Sequence, residues 1–406
     1  MLDFRPSLSG RKSYSPFRRR SAEDNPIQER AGMRVMITGG GTGGHTSPAL
    51  AIIEELQNRD SRLDLQWVGC RDSIEERVCI AQSIPFRTVP VKGWPRVSRV
   101  RQLWAALYLA RGVVASYLHL RKFRPQVIVG VGGYVSVPLM WVAQKQGIPT
   151  ILHEQNKQLG MANRVLARRA YRVLLGFPDT TGGYPGDRSE VVGNPVRSGF
   201  SAAPSRAEAC RSLGLNLDVP VVLVCGGSQG AQSINRAITD VLTNGVKDAF
   251  QMIWMTGESD VAEARSAAEA SKIDVEVHAF IDDMVTACAA ARLIVSRSGA
   301  STTAEIAQVG RASILIPYTH ATDNHQEKNA RAFENTGAAV VLLDKECIGE
   351  TLRAAISRTL SDREGLDTME IAAREMAQPV AVERIVEHVF NAAFGEETKQ
   401  GQEASP

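Results

Sequence analysis

Short apolar runs recur along this chain, each closed by glycine or polar residues and followed by a stretch whose apolar positions return every three to four residues. Val35-Met36-Ile37-Thr38 empties into Gly39-Gly40-Gly41-Thr42-Gly43-Gly44-His45, and a helical pattern follows. Leu63 to Val68 is a second run. About 185 residues after the first loop the theme returns, a one-domain spacing: Val221 to Cys225 leads into Gly226-Gly227-Ser228-Gln229-Gly230-Ala231 and a helix through Ile234 and Ile238. Alternating buried strands and amphipathic helices predict an α/β protein, two Rossmann-like doubly wound domains facing one another across a cleft.

Glycine lets a backbone approach a ligand closely, and a helix N-terminus offers free N–H groups, so both loops read as cradles for a phosphorylated ligand. Gly39, Gly41 and Gly44 satisfy the dinucleotide pattern, but the second strand ends in Gly69-Cys70-Arg71 without the carboxylate that would hold a ribose. The loop also approaches a phosphate-binding loop, with His45 where the lysine belongs. The plain alternative is a turn used for close strand–helix packing.

Composition fits a two-domain globular chain: 406 residues, 44% hydrophobic and 22% charged. Cys70, Cys79, Cys210, Cys225, Cys288 and Cys347 show no metal-binding spacing and read as buried thiols of a reducing compartment. Residues 1–32 form a basic arm that carries the whole formal charge of +3, lacks an apolar core and is expected to be disordered. Its Arg and Ser content fits a transit segment, and Met33 just before the first strand fits an upstream start codon equally. The polar tail, 396–406, is expected to be loose.

No Asp or Glu stands between Glu76 and Glu154, whereas basic residues from Arg77 to Lys145 include Lys92, Arg96, Arg99, Arg101, Arg111 and Arg121. Val100, Leu103, Trp104, Leu107, Tyr108, Val114, Tyr117 and Leu118 recur there at helical spacing, with Arg111 against a membrane-spanning role. Most of this stripe is expected to pack on the sheet, while the basic patch around Trp94 contacts an anionic membrane surface. Nucleic acid is not expected, because the basic residues lack interleaved aromatics on a binding module.

Eight motifs in order, GGGTGGHTSPALAI (39–52), GVGGYVSVP (130–138), HEQN (153–156), VGNPVR (192–197), GGSQGAQSIN (226–235), FIDDM (280–284), RSGASTTAEI (297–306) and DNHQEKNA (323–330), closely resemble the MurG family of UDP-N-acetylglucosamine transferases. The resemblance runs from about Met33 to Ala393. It implies a GT-B fold with an acceptor and membrane-facing domain over 33–195 and a UDP-sugar domain over 196–395, the last helix packing back toward the first. The implied reaction is inverting transfer of N-acetylglucosamine from UDP-N-acetylglucosamine to the C4 hydroxyl of the N-acetylmuramoyl-pentapeptide of lipid I, forming lipid II for peptidoglycan. No cofactor and no metal are implied, in keeping with a sequence that holds no Asp-x-Asp pair. The implied place is the cytoplasmic face of the inner membrane, beside the cell-wall synthesis machinery that serves cell shape and division.

The same resemblance distributes the roles. Thr42, Gly43 and Gly44 would face the sugar and the acceptor diphosphate, and Asn156 would reach the donor. Ser228 and Arg197 would hold the donor diphosphate, Ile281 would meet the uracil, and Ala300, Ser301, Thr302, Thr303, Ala304 and Glu305 would open a helix under the phosphates. Glu305 suits the ribose hydroxyls, because an ionised carboxylate accepts from two vicinal hydroxyls, although it could instead pair with Arg297 or Arg311. Gln326, with Asn324, would read the sugar. His45 is the candidate general base, since imidazole titrates near neutrality, and Glu154 is the second candidate. Thr46-Ser47, Lys157 and Ser301 depart from the family pattern and bear on the acceptor contacts. A different GT-B enzyme acting on a UDP-sugar, a glycolipid synthase or an epimerase, is the alternative reading; a membrane-docked binding protein is another.

Overall fold

The computed structural model describes residues 32–41, 43–93, 99–227, 230–245, 249–321 and 324–395. The expected basic arm up to residue 31, the tail from residue 396, Thr42, Trp94, Arg96 and Ser228 lie outside them.

The first half runs β1 (Arg34–Thr38), α1 (Gly43–Arg59), β2 (Asp64–Gly69), α2 (Ile74–Ala81), β3 (Phe86–Thr88), α3 (Arg99–Phe123), β4 (Val127–Gly130), α4 (Ser136–Lys145), β5 (Thr150–Glu154), α5 (Met161–Ala167), β6 (Arg172–Leu175) and β7 (Ser189–Val191). The second runs α6 (Ser198–Ser201), α7 (Arg206–Ser212), β8 (Val221–Cys225), α8 (Gln232–Thr243), β9 (Gln251–Met255), α9 (Val261–Glu269), β10 (Val275–His278), α10 (Met284–Ala290), β11 (Leu293–Ser296), α11 (Ala300–Val309), β12 (Ala312–Leu315), α12 (His325–Asn335), β13 (Ala339–Val341), α13 (Gly349–Ser361), α14 (Arg363–Glu375) and α15 (Ala381–Phe394).

The strands make two parallel sheets, β3-β2-β1-β4-β5-β6-β7 and β10-β9-β8-β11-β12-β13, both in the doubly wound order. Helices cover both faces of each sheet, so its central strands are apolar throughout: β4, β8 and β11 are buried along their whole length. The order reverses beside β1 in one sheet and beside β8 in the other. Those are the strands that feed the two glycine loops, and a reversal of strand order opens a crevice at the strands' carboxyl ends.

Two glycines in these loops have no substitute. At Gly40 (φ +153°) a Cβ would lie 2.3 Å from the Glu75 carboxyl carbon, and at Gly230 (φ +78°) it would lie 1.9 Å from the Thr256 carbonyl oxygen. The last helix, α15, crosses back and buries Ile385, Val386 and Val389 with Met33, Val35 and Ile37 of the first half. Among the described residues all six cysteines are free thiols, five of them buried and Cys70 half-buried.

One expectation is reversed. The stripe on α3 does not pack on the sheet: Leu103, Trp104, Leu107, Val114, Tyr117 and Leu118 are exposed, and Ala105, Gly112, Ser116 and Leu120 face the protein instead. An amphipathic period fixes which residues share a face of the helix without fixing which face is inside.

Candidate active site

The carboxyl ends of the two sheets enclose one cleft of about 1810 Å³. Gly44, His45, Glu154 and Asn156 line it from the first half, and Arg197, Ile281, Ala300, Ser301, Thr302, Glu305 and Gln326 from the second. Thr303 and Ala304 are not on its wall. Thr303 is fully buried and its hydroxyl donates back to the carbonyls of Gly299 and Ala300, which removes it from ligand contact. Gly43 begins α1. Lys157 is also off the wall, its carbonyl accepting from the Thr181 N–H.

Two helix N-termini meet in the cleft, those of α1 and α11. Pro48 stands inside α1 and has no N–H for the carbonyl of Gly44 four residues earlier. The Ser301 hydroxyl, at the start of α11, donates to that carbonyl at 3.1 Å. Ser47 Oγ in turn donates to Glu305 Oε1 at 3.2 Å. Both hydroxyls bond across the cleft.

Burial pushes the Glu305 carboxyl up to about 7, with Arg197 and the Ser47 hydroxyl opposing the rise. Neither alternative partner takes it. Arg297 pairs with Asp344 at 2.7 Å and lies over the Tyr318 ring, and Arg311 donates to the carbonyls of Cys288 and Ala289. Glu305 is therefore a carboxyl near its titration point, bonded by the Ser47 hydroxyl and acted on by the Arg197 charge.

On the opposite wall, burial lowers the His45 imidazole from its ordinary 6.5, against the opposing pull of Glu154 and of a hydrogen bond to the Gly40 carbonyl; His325 lowers it further. Burial therefore favours the neutral imidazole, the form that can take up a proton. Glu154 differs. Its Oε1 accepts from Asn156 N–H (3.1 Å) and Nδ2 (3.0 Å), and its Oε2 from Gly160 N–H and Asn163 Nδ2, both at 2.9 Å. Four donors fill the acceptor sites of a carboxylate.

The first glycine loop is less open to anions than its composition suggests. Glu75, fully buried, accepts from the Gly41 N–H at 3.2 Å, so that N–H is not available to a phosphate.

Half of the HEQN motif is structural. His153 Nε2 donates to the Gly193 carbonyl at 2.9 Å while Gln155 Nε2 donates to His153 Nδ1 at 3.0 Å, and burial pushes this imidazole down to about 4. Asn194 Nδ2 closes the network on the Gln155 carbonyl. Together these residues fix the segment where the chain leaves the first sheet for Arg197.

Sequence reasoning missed several residues of the cleft. Phe280, 55% exposed beside Ile281, offers a ring to a planar group, and Tyr134 lines the cleft from the first half. His325 acts on the His45 imidazole through its charge. Phe280 and Tyr134 stand in motifs already recognised, FIDDM and GVGGY, and their aromatic character was the available signal.

Comparison with known proteins agrees with this layout. The N-terminal domain of glycosyltransferase family 28 matches residues 35–175 and its C-terminal domain matches residues 221–385. The UDP-N-acetylglucosamine--N-acetylmuramyl-(pentapeptide) pyrophosphoryl-undecaprenol N-acetylglucosamine transferase of Coxiella burnetii is 40% identical over 359 residues, 87% of this chain and 97% of that protein. The protein of the same name from Listeria welshimeri is 35% identical over 360 residues, 88% and 99% of the two chains. Among solved structures, MurG of Acinetobacter baumannii superposes with a TM-score of 0.72 at 28% identity, covering 88% of this chain and 99% of that one.

Proposed function

The chain belongs to the MurG family within glycosyltransferase family 28, and from that premise we propose how its cleft performs the reaction. The protein is a UDP-N-acetylglucosamine-dependent glycosyltransferase that converts lipid I to lipid II in peptidoglycan synthesis. The observation that carries the assignment of roles is the placement of Glu305 and Arg197 on one wall of a single cleft and His45 on the other.

UDP-N-acetylglucosamine lies against the second half. Glu305, once ionised, accepts from the ribose hydroxyls, and Arg197, Ser228 and the open N-terminus of α11 hold the diphosphate. Phe280 and Ile281 take the uracil, and Gln326 reads the sugar. Lipid I enters along the first half. Its C4 hydroxyl oxygen attacks the anomeric carbon from the face opposite UDP as His45 removes the proton, and the bond to the diphosphate oxygen breaks. The negative charge that leaves with UDP is met by Arg197 and the α11 N–H groups. Glu154 has no acceptor site left for this proton; its charge faces the imidazolium and stabilises it.

The surface of α3 supports membrane docking. Its segment Gln102–Phe123 is long and apolar enough by composition to cross a membrane, yet it lies along the domain with one face buried and Arg111 on the other. The exposed face combines Leu103, Trp104, Leu107, Val114 and Leu118 with cations held over rings, Lys92 over Tyr108 at 4.4 Å and Arg121 over Tyr117 at 5.8 Å. Such a helix suits the interface of an anionic bilayer, which supports a working place at the cytoplasmic face of the membrane, within reach of lipid I and the cell-wall machinery.

The test is steady-state kinetics of Glu305→Ala. Losing hydrogen bonds to a charged group costs about 1.5–3 kcal/mol, so KM for UDP-N-acetylglucosamine rises roughly 10- to 150-fold. An unchanged KM removes Glu305 from the donor site.

A further inference from the structure

On the far side of the donor wall, at the C-terminal end of α11, a second cavity of about 350 Å³ opens between α6, α7 and α14. Arg206, Arg311 and Arg374 line it together with Ser201 and Gln308. It shares no lining residue with the cleft.

No Asp or Glu is among its lining residues. Behind the cavity Arg292 holds both nearby carboxylates, Asp367 at 2.7 Å and Glu370 at 2.9 Å. Arg311 reaches Glu370 only at 3.9 Å and spends its close hydrogen bonds on neutral carbonyls. Glu208, on α7, is turned to the Ser205 N–H and hydroxyl. Among the described residues no carboxylate lies within ion-pair distance of Arg206 or Arg374. Three guanidinium groups, Arg206, Arg374 and the buried Arg311, thus line a cavity that no carboxylate lines. The Arg311 guanidinium is held below its ordinary value by burial, opposed by Glu370 and reinforced by Arg374, Arg206 and Arg292.

We propose that this arginine-lined cavity is an anion site that takes a phosphate dianion, free or as a small monoester. Planar guanidinium forks match phosphate oxygens in pairs, and an anion meets only positive and neutral side chains on this lining. Gln308 Nε2 donates to Ser201 Oγ at 3.1 Å, which leaves the Ser201 hydroxyl proton to add a further donor. The cavity exceeds the volume of several waters at roughly 30 Å³ each, room for a phosphoryl group and a small organic substituent.

Isothermal titration of the full chain, saturated with UDP to fill the donor cleft and held at constant ionic strength, tests this with inorganic phosphate and with phenyl phosphate in separate runs. Binding of either, weakened about tenfold or more in R206Q/R374Q with UDP affinity unchanged, is the expected result. Phenyl phosphate binding more tightly than phosphate assigns the monoester as the occupant; the reverse order assigns the free ion. Both positions lie at the surface or half-buried, and the single variants R206Q and R374Q, each with its thermal midpoint measured, stand in if the double variant fails to fold. Absence of binding to the UDP-saturated protein, or equal binding by the variants, overturns the proposal.

Discussion

Ser47 Oγ donates to Glu305 Oε1 at 3.2 Å, tying the first turns of α1 to the helix that opens the donor site. With Ser301 bonded to the carbonyl that Pro48 leaves unpaired, the pair forms a two-point latch between the halves. Further bonds cross the same boundary, Ser198 N–H to Glu54 at 3.2 Å and Asn329 Nδ2 to Asn156 Oδ1 at 3.4 Å. The residue assigned to the ribose therefore accepts a hydrogen bond from the opposite wall. The donor must replace it.

Donor affinity depends on pH through this carboxylate. Its folded value of about 7 lies above the usual 4.5, so the folded protein holds a proton there that the unfolded chain has released. That contribution to stability is complete below about 4.5 and is lost as pH rises through about 7. The sign for ligand binding is opposite, because the ribose hydroxyls need the ionised form. The UDP dissociation constant is expected to fall as pH rises from 6 to 8, by at most about tenfold per unit, and Glu305→Gln flattens the profile. A flat wild-type profile contradicts the assignment.

Ser47→Ala removes a hydrogen bond that favours the charged form of Glu305. The midpoint of the UDP affinity profile then moves to higher pH while its plateau at alkaline pH is retained or improved, since a competitor for the carboxylate is gone. Calorimetry over the same pH range measures both. A midpoint that stays or moves down removes the latch from the account.

His45→Ala is expected to lower kcat by about 10²- to 10⁴-fold, the range of general acid–base catalysis, with little change in donor KM. Because burial places the imidazole below 6.5, the acid limb of the wild-type kcat profile falls below that pH, and the variant loses it. Equal losses in Glu154→Gln and His45→Ala, with the acid limb kept in the histidine variant, would transfer the base role.

Replacing Leu103, Trp104 and Leu107 together by serine removes apolar area from the exposed face of α3. Partition onto vesicles containing anionic lipid should weaken about tenfold or more, from roughly 1.5–3 kcal/mol for each large side chain that becomes fully buried. UDP affinity, lodged across the cleft, stays the same. Undiminished vesicle binding makes this stripe a site for a protein partner.

Both sheets were legible because parallel strands covered on two faces write themselves as continuous apolar runs, Val35 to Thr38 and Val221 to Cys225 among them, and because glycines mark where the strand order reverses. The cleft wall from Ala300 to Glu305 was legible only as a segment. A helix turns Thr303 away, and one motif read as a string hides that. The latch was not legible: Ser47 and Glu305 lie 258 residues apart, and each serine showed only as a departure from a pattern. His153 and Gln155 carry polar side chains that fit an acceptor site equally well until the Gly193 carbonyl is seen beside them. The orientation of α3 depends on which face α4 covers, information held in the packing alone.

The central claim is tested most directly by transfer of radiolabelled N-acetylglucosamine from UDP-N-acetylglucosamine to lipid I, followed in single turnovers with wild-type and His45→Ala protein. The account predicts a lipid-linked disaccharide joined at the C4 hydroxyl, formed with inversion by the wild type and slowed at least about a hundredfold by the substitution. Label released as free sugar or recovered as an epimerised nucleotide, with no lipid-linked product, would contradict it.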